Sequence, residues 1–490
     1  MIYSVLIYAI IKLYLILNIY QQSHYQFRFY FKHFLLNFLF YDTFPLIVLI
    51  IGITNQNEIT TWICSIYLFL FSIFYLLARV RLVFTKRIIR LILFSFIYFV
   101  AIYFIPYVNV YMLLLIEFTI VPILAFDRVL SKLLNRPYIS SAKKKLVGYE
   151  GEIIGITGSF GKTSTKQLLN QALNLFYKSN CTKKSYNTPL GISRFINDTN
   201  INLYDYLVLE FGASHKNDIA ELKRIAMPQT VFVTGIGYMH VDTFKNIETI
   251  IEEKMSILKG AKVAVLNYDC EFIRNYEIND DIKIISYGFE YGDYRALNIE
   301  KNSFDFYYKD KFIMSFKTSL LGKHQLLNLT GVLAYLTELG VDLEVLRRGV
   351  CSFHAEKNRL ELKKINNMTI LDDSFNSNYQ GFVEALFTLR NLDGNRVLLT
   401  PGMVELGKYK KELLNNLVEH IVASADVIIL IGYYQTKYLY NLLKEFNKEV
   451  YLVRNFMEGY ALFWMLAKST KESSLLIEND LPDLYRVGLL

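Results

Sequence analysis

The sequence predicts an α/β protein in which an N-terminal bundle of transmembrane helices precedes two domains built on parallel sheets. Three observations support this fold class. Apolar residues dominate the chain before residue 126, a short β-run turns through glycines into a helix near residue 160, and β-runs alternate with helical runs from Thr369 to the end. Alternation of this last kind is typical of a parallel sheet covered by helices.

The composition allows several domains and favours a membrane protein with a large extramembrane part. At 490 residues the chain is long enough for about three domains of roughly 100–200 residues each. Hydrophobic residues make up 53% of the chain, above the roughly 45–50% that is usual in soluble domains. The mean hydropathy is +0.25. The net charge of +8 could indicate nucleic-acid binding, but much of it flanks the apolar segments, which is typical of membrane topology. These basic residues are Arg79, Arg81, Lys86, Arg87, Arg90, Arg128, Lys132, Arg136 and Lys143 to Lys145.

Residues 1–126 contain about five apolar segments of spanning length, since roughly 20 residues cross the hydrocarbon of a bilayer. The segments are 2–20, 34–53, 61–79, 88–106 and 107–126. Their connections alternate between basic and free of Lys and Arg. The positive-inside rule therefore predicts a multi-pass protein of the cell membrane, in bacteria the inner membrane, with a basic cytoplasmic linker at 127–150 and cytoplasmic domains after it. A cleaved signal peptide is the alternative for 1–20, but no basic n-region or small-residue cleavage site is present.

Glu117 and the four cysteines are further residues that could belong to a site. Glu117 lies inside the last apolar segment, where an ionisable group is either functional or an interfacial carboxylate, and the sequence leaves both open. The cysteines lack CxxC spacing and a neighbouring His cluster, so we expect neither a zinc site nor a disulfide framework. They are Cys64, Cys181, Cys270 and Cys351.

A phosphate-binding loop follows the linker. EIIGIT (152–157) predicts a short strand and KTSTKQLLNQALNLF (162–176) an amphipathic helix, with GSFGKT at the turn between them. Such a turn leaves backbone N–H groups free to bind an anion. Lys162 would reach the β- and γ-phosphates of ATP, and Thr163 would hold Mg²⁺. The other predicted ATP-binding residues of the loop are Gly158, Ser159, Gly161 and Ser164. The alternative is a chance glycine-rich turn.

The loop TGSFGKTST resembles that of the Mur ligase family, T-G-x-x-G-K-[TS]-[ST], and further motifs follow in the family's order. They are LEFGASHKNDIAELKRIAMPQTVFVTGIGYMHVDTF, EEKMSILKGAKVAVLNYD, LLGKHQLLNLTGVLAYL, KNRLEL and TILDDSFNSN. The resemblance covers about residues 146–480, and FGASHKNDIAEL with DDSFNSN indicates the MurF-like side of the family. It implies a central ATP-binding domain at 151–352 and a Rossmann-like C-terminal domain at 353–490.

Candidate metal ligands follow two strands. Glu210 ends the β-run YLVLE and His240 follows TVFVTGI, so both are expected at the carboxyl ends of strands, where ligands bind in open α/β sheets. A carboxylate suits Mg²⁺, whereas a His ligand is unusual and is accepted here from the resemblance. The resemblance also implies that Lys254 is carbamylated and binds a second Mg²⁺, although a lysine in EEKMSIL could equally be a solvated helix residue. The catalytic residues it implies are Lys162, Lys254 and His240.

The resemblance assigns further residues to the ligands. Asn328, with His324 and Gln325 before it, is expected near adenine, Arg359 near the phosphates and Asp373 at the ribose. In SYNTPLGIS, Asn187 and Thr188 are expected to meet the acceptor. The sequence departs from the usual family pattern at Gln325, Asn358, Phe375, Tyr379 and Gly402.

The implied activity is an ATP-dependent ligase that forms an amide through an acyl phosphate. Its partners would be ATP, an amino acid or dipeptide as amine donor, and a carboxylate acceptor of the cell-envelope or peptidoglycan type. Because membrane segments take the place of the usual module that grips UDP, we expect a lipid-linked acceptor held at the membrane, with the soluble UDP-muramoyl peptide as the alternative. No nucleic acid is expected.

Other classes account less well for the sequence. An ABC-type transporter would need an LSGGQ signature, and a GTP switch would need N-K-x-D, for which NKEV (447–450) is the nearest string. A poly-γ-glutamate-synthase-like ligase and a non-catalytic ATP-binding membrane scaffold remain the alternatives.

Overall fold

The computed structural model describes most of the chain after residue 120 and parts of the chain before it. The described ranges are 2–22, 82–103, 120–183, 186–239, 241–278, 281–300, 303–356, 359–374, 378–403, 409–468 and 472–479, with isolated positions between 25 and 67. They divide at Pro137 into two compact units, each considered by itself below.

The N-terminal unit consists of helices. These are α1 (Ile2–Gln22), α2 (Lys86–Tyr103) and α3 (Val121–Val147), whose residues from Pro137 onward count with the second unit. Leu17, Leu91 and Leu124 are among the buried residues of the apolar core of this unit. Charge is buried beside that core, since Asp127 is fully buried and accepts hydrogen bonds from Arg87 Nε at 2.7 Å and Arg90 Nε at 2.9 Å.

The predicted transmembrane bundle is wrong. Within the part of the chain that the structure describes, no helix combines the length and the apolar character that crossing a membrane requires. The start of the predicted span 88–106 and the end of the predicted span 107–126 lie beside the charged cluster of Arg87, Arg90 and Asp127. Helix α3 then continues through a basic stretch to Val147. The same finding overturns the predicted multi-pass membrane localisation and the membrane as a partner. Glu117 and, apart from Ile47, the predicted span 34–53 lie outside the described residues.

A nine-stranded mixed sheet forms the first half of the second unit. Its strands are β1 (Glu152–Thr157), β2 (Ser179–Cys181), β3 (Tyr206–Glu210), β4 (Thr230–Val233), β5 (Val263–Asn267), β6 (Lys283–Gly288), β7 (Tyr294–Leu297), β8 (Ser303–Tyr308) and β9 (Lys311–Lys317). Their spatial order is β2-β3-β1-β4-β5-β6-β7-β8-β9, parallel from β2 to β7 and antiparallel from β7 to β9. The β1–β3 register pairs Ile156 with Glu210, so the strand ends that carry the predicted site are neighbours.

Helices cover both faces of this sheet, which is why its central strands are apolar throughout. They are α4 (Lys162–Leu173), α5 (Pro189–Asp198), α6 (Asp218–Lys223), α7 (Val241–Phe244), α8 (Ile247–Met255), α9 (Glu271–Arg274), α10 (Lys323–Glu338) and α11 (Leu343–Val350). On one face α4 packs against α10, with Leu169 and Leu333 in a shared core. On the other face, Phe195 of α5 and Ile250 of α8 lie in a second core.

The end of α3 supports helix α5 through a charged side chain. Lys145 Nζ donates hydrogen bonds to the carbonyl oxygens of Ile196 at 2.9 Å, Asn197 at 3.2 Å and Thr199. The last carbonyl groups of a helix have no partner within the helix, and a cation there also complements the helix dipole. Lys145 therefore acts as the C-terminal cap of α5.

A six-stranded sheet forms the C-terminal domain. Its strands are β10 (Glu361–Ile365), β11 (Met368–Asp373), β12 (Asn395–Thr400), β13 (Val427–Ile431), β14 (Glu449–Val453) and β15 (Ser473–Glu478), in the order β10-β11-β15-β12-β13-β14. Only the β10–β11 pair is antiparallel among these described strands. The helices are α12 (Tyr379–Arg390), α13 (Lys410–Ser424), α14 (Tyr433–Lys444) and α15 (Phe456–Ala467). The carboxyl ends of β11 and β15 are neighbours, with Asp373 paired to Glu478.

Candidate active site

The turn between β1 and α4 is shaped by two glycines. Gly158 has φ +149° and Gly161 has φ +80°, values that side-chain-bearing residues rarely adopt. A Cβ atom on Gly158 would lie 2.4 Å from Thr234 Oγ1, and one on Gly161 would lie 2.8 Å from Asn328 Oδ1. No described side chain caps the start of α4. The first-turn N–H groups of α4 are therefore available to an anion.

Hydrogen bonds fasten this loop to the segment that follows β4. The N–H of Ser159 donates to the Gly235 carbonyl at 2.7 Å, and Ser159 Oγ accepts from the Gly237 N–H at 3.1 Å. Thr234 Oγ1 donates to the Phe160 carbonyl. The loop is thus held in shape by backbone groups of the neighbouring strand end.

Lys162 lies at the start of α4 with its amine turned back over the loop. Its Nζ donates to the carbonyl oxygens of Gly158 at 2.7 Å and Ser159 at 3.1 Å. Burial lowers the pKa of Lys162 to about 8; the Glu210 carboxylate opposes that shift and the Arg359 guanidinium adds to it. A phosphate at this loop would supply the negative charge that favours the ammonium form.

Glu210 at the end of β3 is the centre of a buried polar cluster. Its side chain is 1% exposed. Oε2 accepts hydrogen bonds from Thr163 Oγ1 at 3.0 Å and from Lys166 Nζ at 3.3 Å, and Oε1 accepts from Asn187 Nδ2 at 3.0 Å. The structure therefore brings Asn187, predicted to meet the acceptor, into contact with Glu210, which like Thr163 was predicted to hold Mg²⁺.

Lys254 is buried in the last turn of α8, unlike a solvated helix lysine. Its side-chain amine donates to the Ala213 carbonyl at 2.9 Å. Its pKa is lowered to about 7, chiefly by burial and also by the charge of Lys162, while the carboxylates of Glu253, Asp218 and Glu210 oppose the shift. An amine of this pKa is largely uncharged at moderately alkaline pH, the form in which it can react as a nucleophile.

A cavity of about 460 Å³ lies beside the loop, between the central sheet and the C-terminal domain. Several predicted ATP-binding residues line it: Gly161, Ser164, Asn328, Arg359 and Asp373. Burial raises the pKa of Asp373 to about 6, although the Arg359 guanidinium opposes that shift. Asp373 Oδ1 also accepts from the Leu360 N–H at 3.1 Å. Glu478, at the neighbouring strand end, lines the same cavity.

Two polar atoms in the cavity wall indicate what the cavity can hold. Gln325 is 1% exposed and its Nε2 donates to the Arg359 carbonyl at 3.4 Å. Gln325 Oε1 and His324 Nδ1 are buried and find no hydrogen-bond partner among the described residues. Burial lowers the pKa of His324 to about 4, so its ring is neutral. Buried polar groups are normally satisfied, so these atoms fit a ligand with polar edges, such as a nucleobase.

The described residues also provide oxygen ligands for a small hard cation. Thr163 and Glu210 offer a hydroxyl and a carboxylate at adjacent positions, and Mg²⁺ typically takes one or two protein carboxylates together with phosphate oxygens and waters. In the described part of the chain, no group of three or more His, Cys, Asp and Glu side chains forms a metal site. His240 lies outside the described residues.

Other residues singled out in the sequence lie elsewhere in the fold or outside the described residues. Thr188 caps α5, where its Oγ1 accepts from the Gly191 N–H at 3.2 Å. Gly402 has φ +79°, and its carbonyl accepts from Asn479 Nδ2 at 2.8 Å. Asn358 and Phe375 lie outside the described residues. Lys166, Phe160 and Glu478 also belong to the site, although none of them was predicted from the sequence. Only Glu478 gave a signal, since SSLLIE ends a β-run in a carboxylate as YLVLE does at Glu210.

Comparison with known proteins identifies relatives of this site. Residues 156–336 match the family described as the Mur ligase middle domain. The UDP-N-acetylmuramoyl-tripeptide–D-alanyl-D-alanine ligase of Borreliella burgdorferi is 29% identical over 290 residues, covering 57% of this chain and 62% of that protein. The ligase of the same name from Rickettsia prowazekii is 29% identical over 328 residues, 61% of this chain and 71% of that protein. The match with the Borreliella protein thus spans less than two thirds of its length.

Solved structures share the fold. MurF ligase from Thermotoga maritima, determined in complex with ADP, superimposes with a TM-score of 0.60 and 25% identity, covering 72% of this chain and 82% of that one. MurF from Acinetobacter baumannii superimposes with a TM-score of 0.62 and 21% identity over 71% and 77% of the two chains, which shows the fold alone. The phosphate loop, the buried Glu210 cluster and the matched sequence all lie in one domain. Residues 156–336 are therefore similar in sequence to a Mur ligase middle domain, and the described fold agrees with that similarity.

Proposed function

We propose that the protein is an ATP-dependent ligase of the MurF type, which joins a carboxylate to an amine through an acyl phosphate. The observation that carries the proposal is the Thr163–Glu210 pair at the end of the glycine-shaped loop. A hydroxyl and a carboxylate there can hold a cation against phosphate oxygens, and a 460 Å³ cavity beside them has room for a nucleotide.

The chain's own residues would act mainly by charge and position. In the first step a carboxylate oxygen of the acceptor attacks the γ-phosphorus of ATP, ADP leaves, and an acyl phosphate forms. In the second step the donor amine attacks the acyl carbon, loses a proton, and inorganic phosphate leaves as the amide forms. Because two anions meet in the first step, Lys162 and the first-turn N–H groups of α4 must offset their repulsion. No protein nucleophile is required.

Magnesium and the nucleotide would be held by the residues named above. Thr163 and Glu210 would bind Mg²⁺, whose charge would offset that of the phosphates, and His240 and a carbamylated Lys254 stay predicted ligands of the site. Asn328, His324 and Gln325 would face the base, Arg359 the phosphates and Asp373 the ribose. Asn187, hydrogen-bonded to Glu210, would meet the acceptor near the metal, with Thr188 beside it at the start of α5. The domain division between residues 352 and 353 likewise stays a prediction.

The relatives suggest the substrates. Their names specify a UDP-N-acetylmuramoyl-tripeptide and D-alanyl-D-alanine. We propose the same classes here, a UDP-linked muramoyl peptide as acceptor and a D-amino-acid dipeptide as donor. The hypothesis of a lipid-linked acceptor depended on the transmembrane segments and falls with them.

Turnover by the purified full-length chain tests the proposal. With ATP, Mg²⁺, D-alanyl-D-alanine and UDP-N-acetylmuramoyl-tripeptide, we expect release of ADP together with a new amide product identified by mass spectrometry. Lys162→Ala should lower kcat by about 10²–10³-fold, the usual effect of removing one charge-stabilising donor. Lys178→Ala, at an exposed lysine beyond α4, is the matched control and should keep full turnover. Binding of ATP without amide formation would contradict the proposal and favour a non-catalytic nucleotide-binding protein.

A further inference from the structure

The phosphate loop and the C-terminal domain approach one glycine from two sides. A Cβ atom on Gly237 would lie 3.3 Å from Phe160 Cε1 and 3.0 Å from Gln380 Oε1. Phe160 belongs to the loop between β1 and α4, and Gln380 belongs to the first turn of α12. Both side chains also line the 460 Å³ cavity. A single backbone position therefore separates the loop from the C-terminal domain.

The ring of Phe160 is held against the chain that follows β4. A Cβ atom on Gly235 would lie 2.2 Å from Phe160 Cε2, so the ring occupies the space that any side chain at Gly235 would need. The aromatic ring thus lies along the backbone from Gly235 to Gly237. We call residues 235–238 the connector segment.

The connector segment is fastened on both of its sides. On the loop side, Ser159 bonds to the backbone of Gly235 and Gly237 at 2.7 and 3.1 Å. On the other side, the ring of Tyr238 lies 4.6 Å from the ring of Tyr409, the residue before α13, measured between centroids. The C-terminal domain therefore touches the connector segment at two places, through Gln380 and through Tyr409.

We propose that Phe160 is a positioning residue that transmits occupancy of the phosphate loop to helix α12 through the connector segment. The inference rests on the proposed function, because it requires a nucleotide at the loop. Phosphates bound to the N–H groups of the loop restrict its motion, and the ring of Phe160 is then held against Gly235 and Gly237. When Gly237 is held in one position, its contact with Gln380 is kept, so the first turn of α12 unfolds locally less often.

Hydrogen exchange of the full-length chain, with and without ADP and Mg²⁺, tests the inference. In the wild type, ADP should slow amide exchange in residues 379–390 by about tenfold. This is the expected change if ADP lowers the equilibrium constant for local unfolding of α12 by about tenfold. At an ADP concentration that saturates each variant, Phe160→Ala should lose this protection, whereas Phe160→Tyr should retain it. Phe312→Ala, at a half-exposed phenylalanine of β9, is the matched control and should behave as the wild type.

A second variant changes the C-terminal side of the contact between Gly237 and Gln380. Gln380→Ala leaves the phosphate loop intact and should also abolish the ADP-dependent protection of α12, which keeps the test decisive if Phe160→Ala fails to fold. Unchanged protection in Phe160→Ala or Gln380→Ala would overturn the inference and leave the ligase proposal standing. Failure of the wild type to bind ADP at all would overturn both.

Discussion

The amine of Lys166 and the carboxylate of Glu210 form an ion pair of 3.3 Å with both side chains at most 1% exposed. Lys166 lies one turn after Lys162 on α4, beneath the phosphate loop. Burying such a pair is costly, and removing one partner leaves the other charge uncompensated. The pair therefore makes the site sensitive to a residue that contacts no substrate in the proposed mechanism.

Lys166→Met should lower the free energy of unfolding by about 3–5 kcal/mol, because Glu210 then remains buried without this cation. Urea unfolding followed by circular dichroism measures the change. Arg194→Met is the control, since the Arg194–Asp198 pair is about 60% exposed and should contribute less than about 1 kcal/mol. Equal effects of the two substitutions would contradict the structural assignment of Lys166.

The buried lysines predict a pH dependence of stability. The pKa of Lys254 is about 7 in the folded chain, against its usual 10.5. Between these values the unfolded chain binds a proton that the folded chain does not, so this group makes stability rise with pH above about 7 and leaves it flat below. Lys162, with its pKa at about 8, acts in the same direction.

Lys254→Met should therefore reduce the gain in urea midpoint between about pH 7 and about pH 9, and it should be more stable than the wild type at the lower pH. Because Lys162 still contributes, part of the gain should remain. Measurements in carbonate-free buffer keep the amine unmodified. A wild type whose stability falls over this window, or a variant with the same slope as the wild type, would contradict the assigned burial.

Carbamylation of Lys254 is a separate prediction. Its amine is uncharged more readily than that of an exposed lysine, so it should add CO₂ from bicarbonate buffer. Native mass spectrometry should show a mass increase equal to one CO₂ in the wild type and none in Lys254→Met. If the increase is equal in both proteins, the modified residue is elsewhere.

The contact between Phe160 and Gly235 predicts strong non-additivity. Gly235→Ala should destabilise the wild type by about 1–3 kcal/mol, because the new methyl group would overlap the ring of Phe160. In a Phe160→Ala background the same substitution should cost almost nothing, since all three nearest atoms belong to that ring. Gly148→Ala, with nothing within 4 Å of its Cβ, is the control. Additive effects would show that the ring does not occupy this space.

The sequence predicts those parts of the site that depend on strand order. Thr163 and Glu210 were both predicted to hold Mg²⁺, Thr163 from the phosphate loop and Glu210 from its place at the carboxyl end of a strand, and the structure places their side chains 3.0 Å apart. Glu478 obeys the same rule at the end of β15. It was missed because nothing in the chain indicated that β15 lies beside β11.

Other features could not be read from the chain alone. A lysine at position 166 looks like a solvated helix residue until the helix is packed against Glu210. In the N-terminal region, the predictions rested on the length of apolar runs. The length and hydropathy of a segment do not show which distant residues it contacts. Arg87 and Arg90 both bind Asp127, which lies 37 to 40 positions further along the chain.

The triple capping of α5 by Lys145 has a practical consequence for dissecting this protein. A fragment that starts immediately before β1 would keep every strand of the nine-stranded sheet but would lose Lys145, whose amine caps the C-terminal end of α5. Asn187 and Thr188 directly precede the N-terminal end of the same helix. Shortened versions of the domain should therefore begin no later than Pro137, the first residue of the second unit. Weak acceptor binding by a more tightly trimmed fragment would reflect a loosened helix instead of a missing substrate contact.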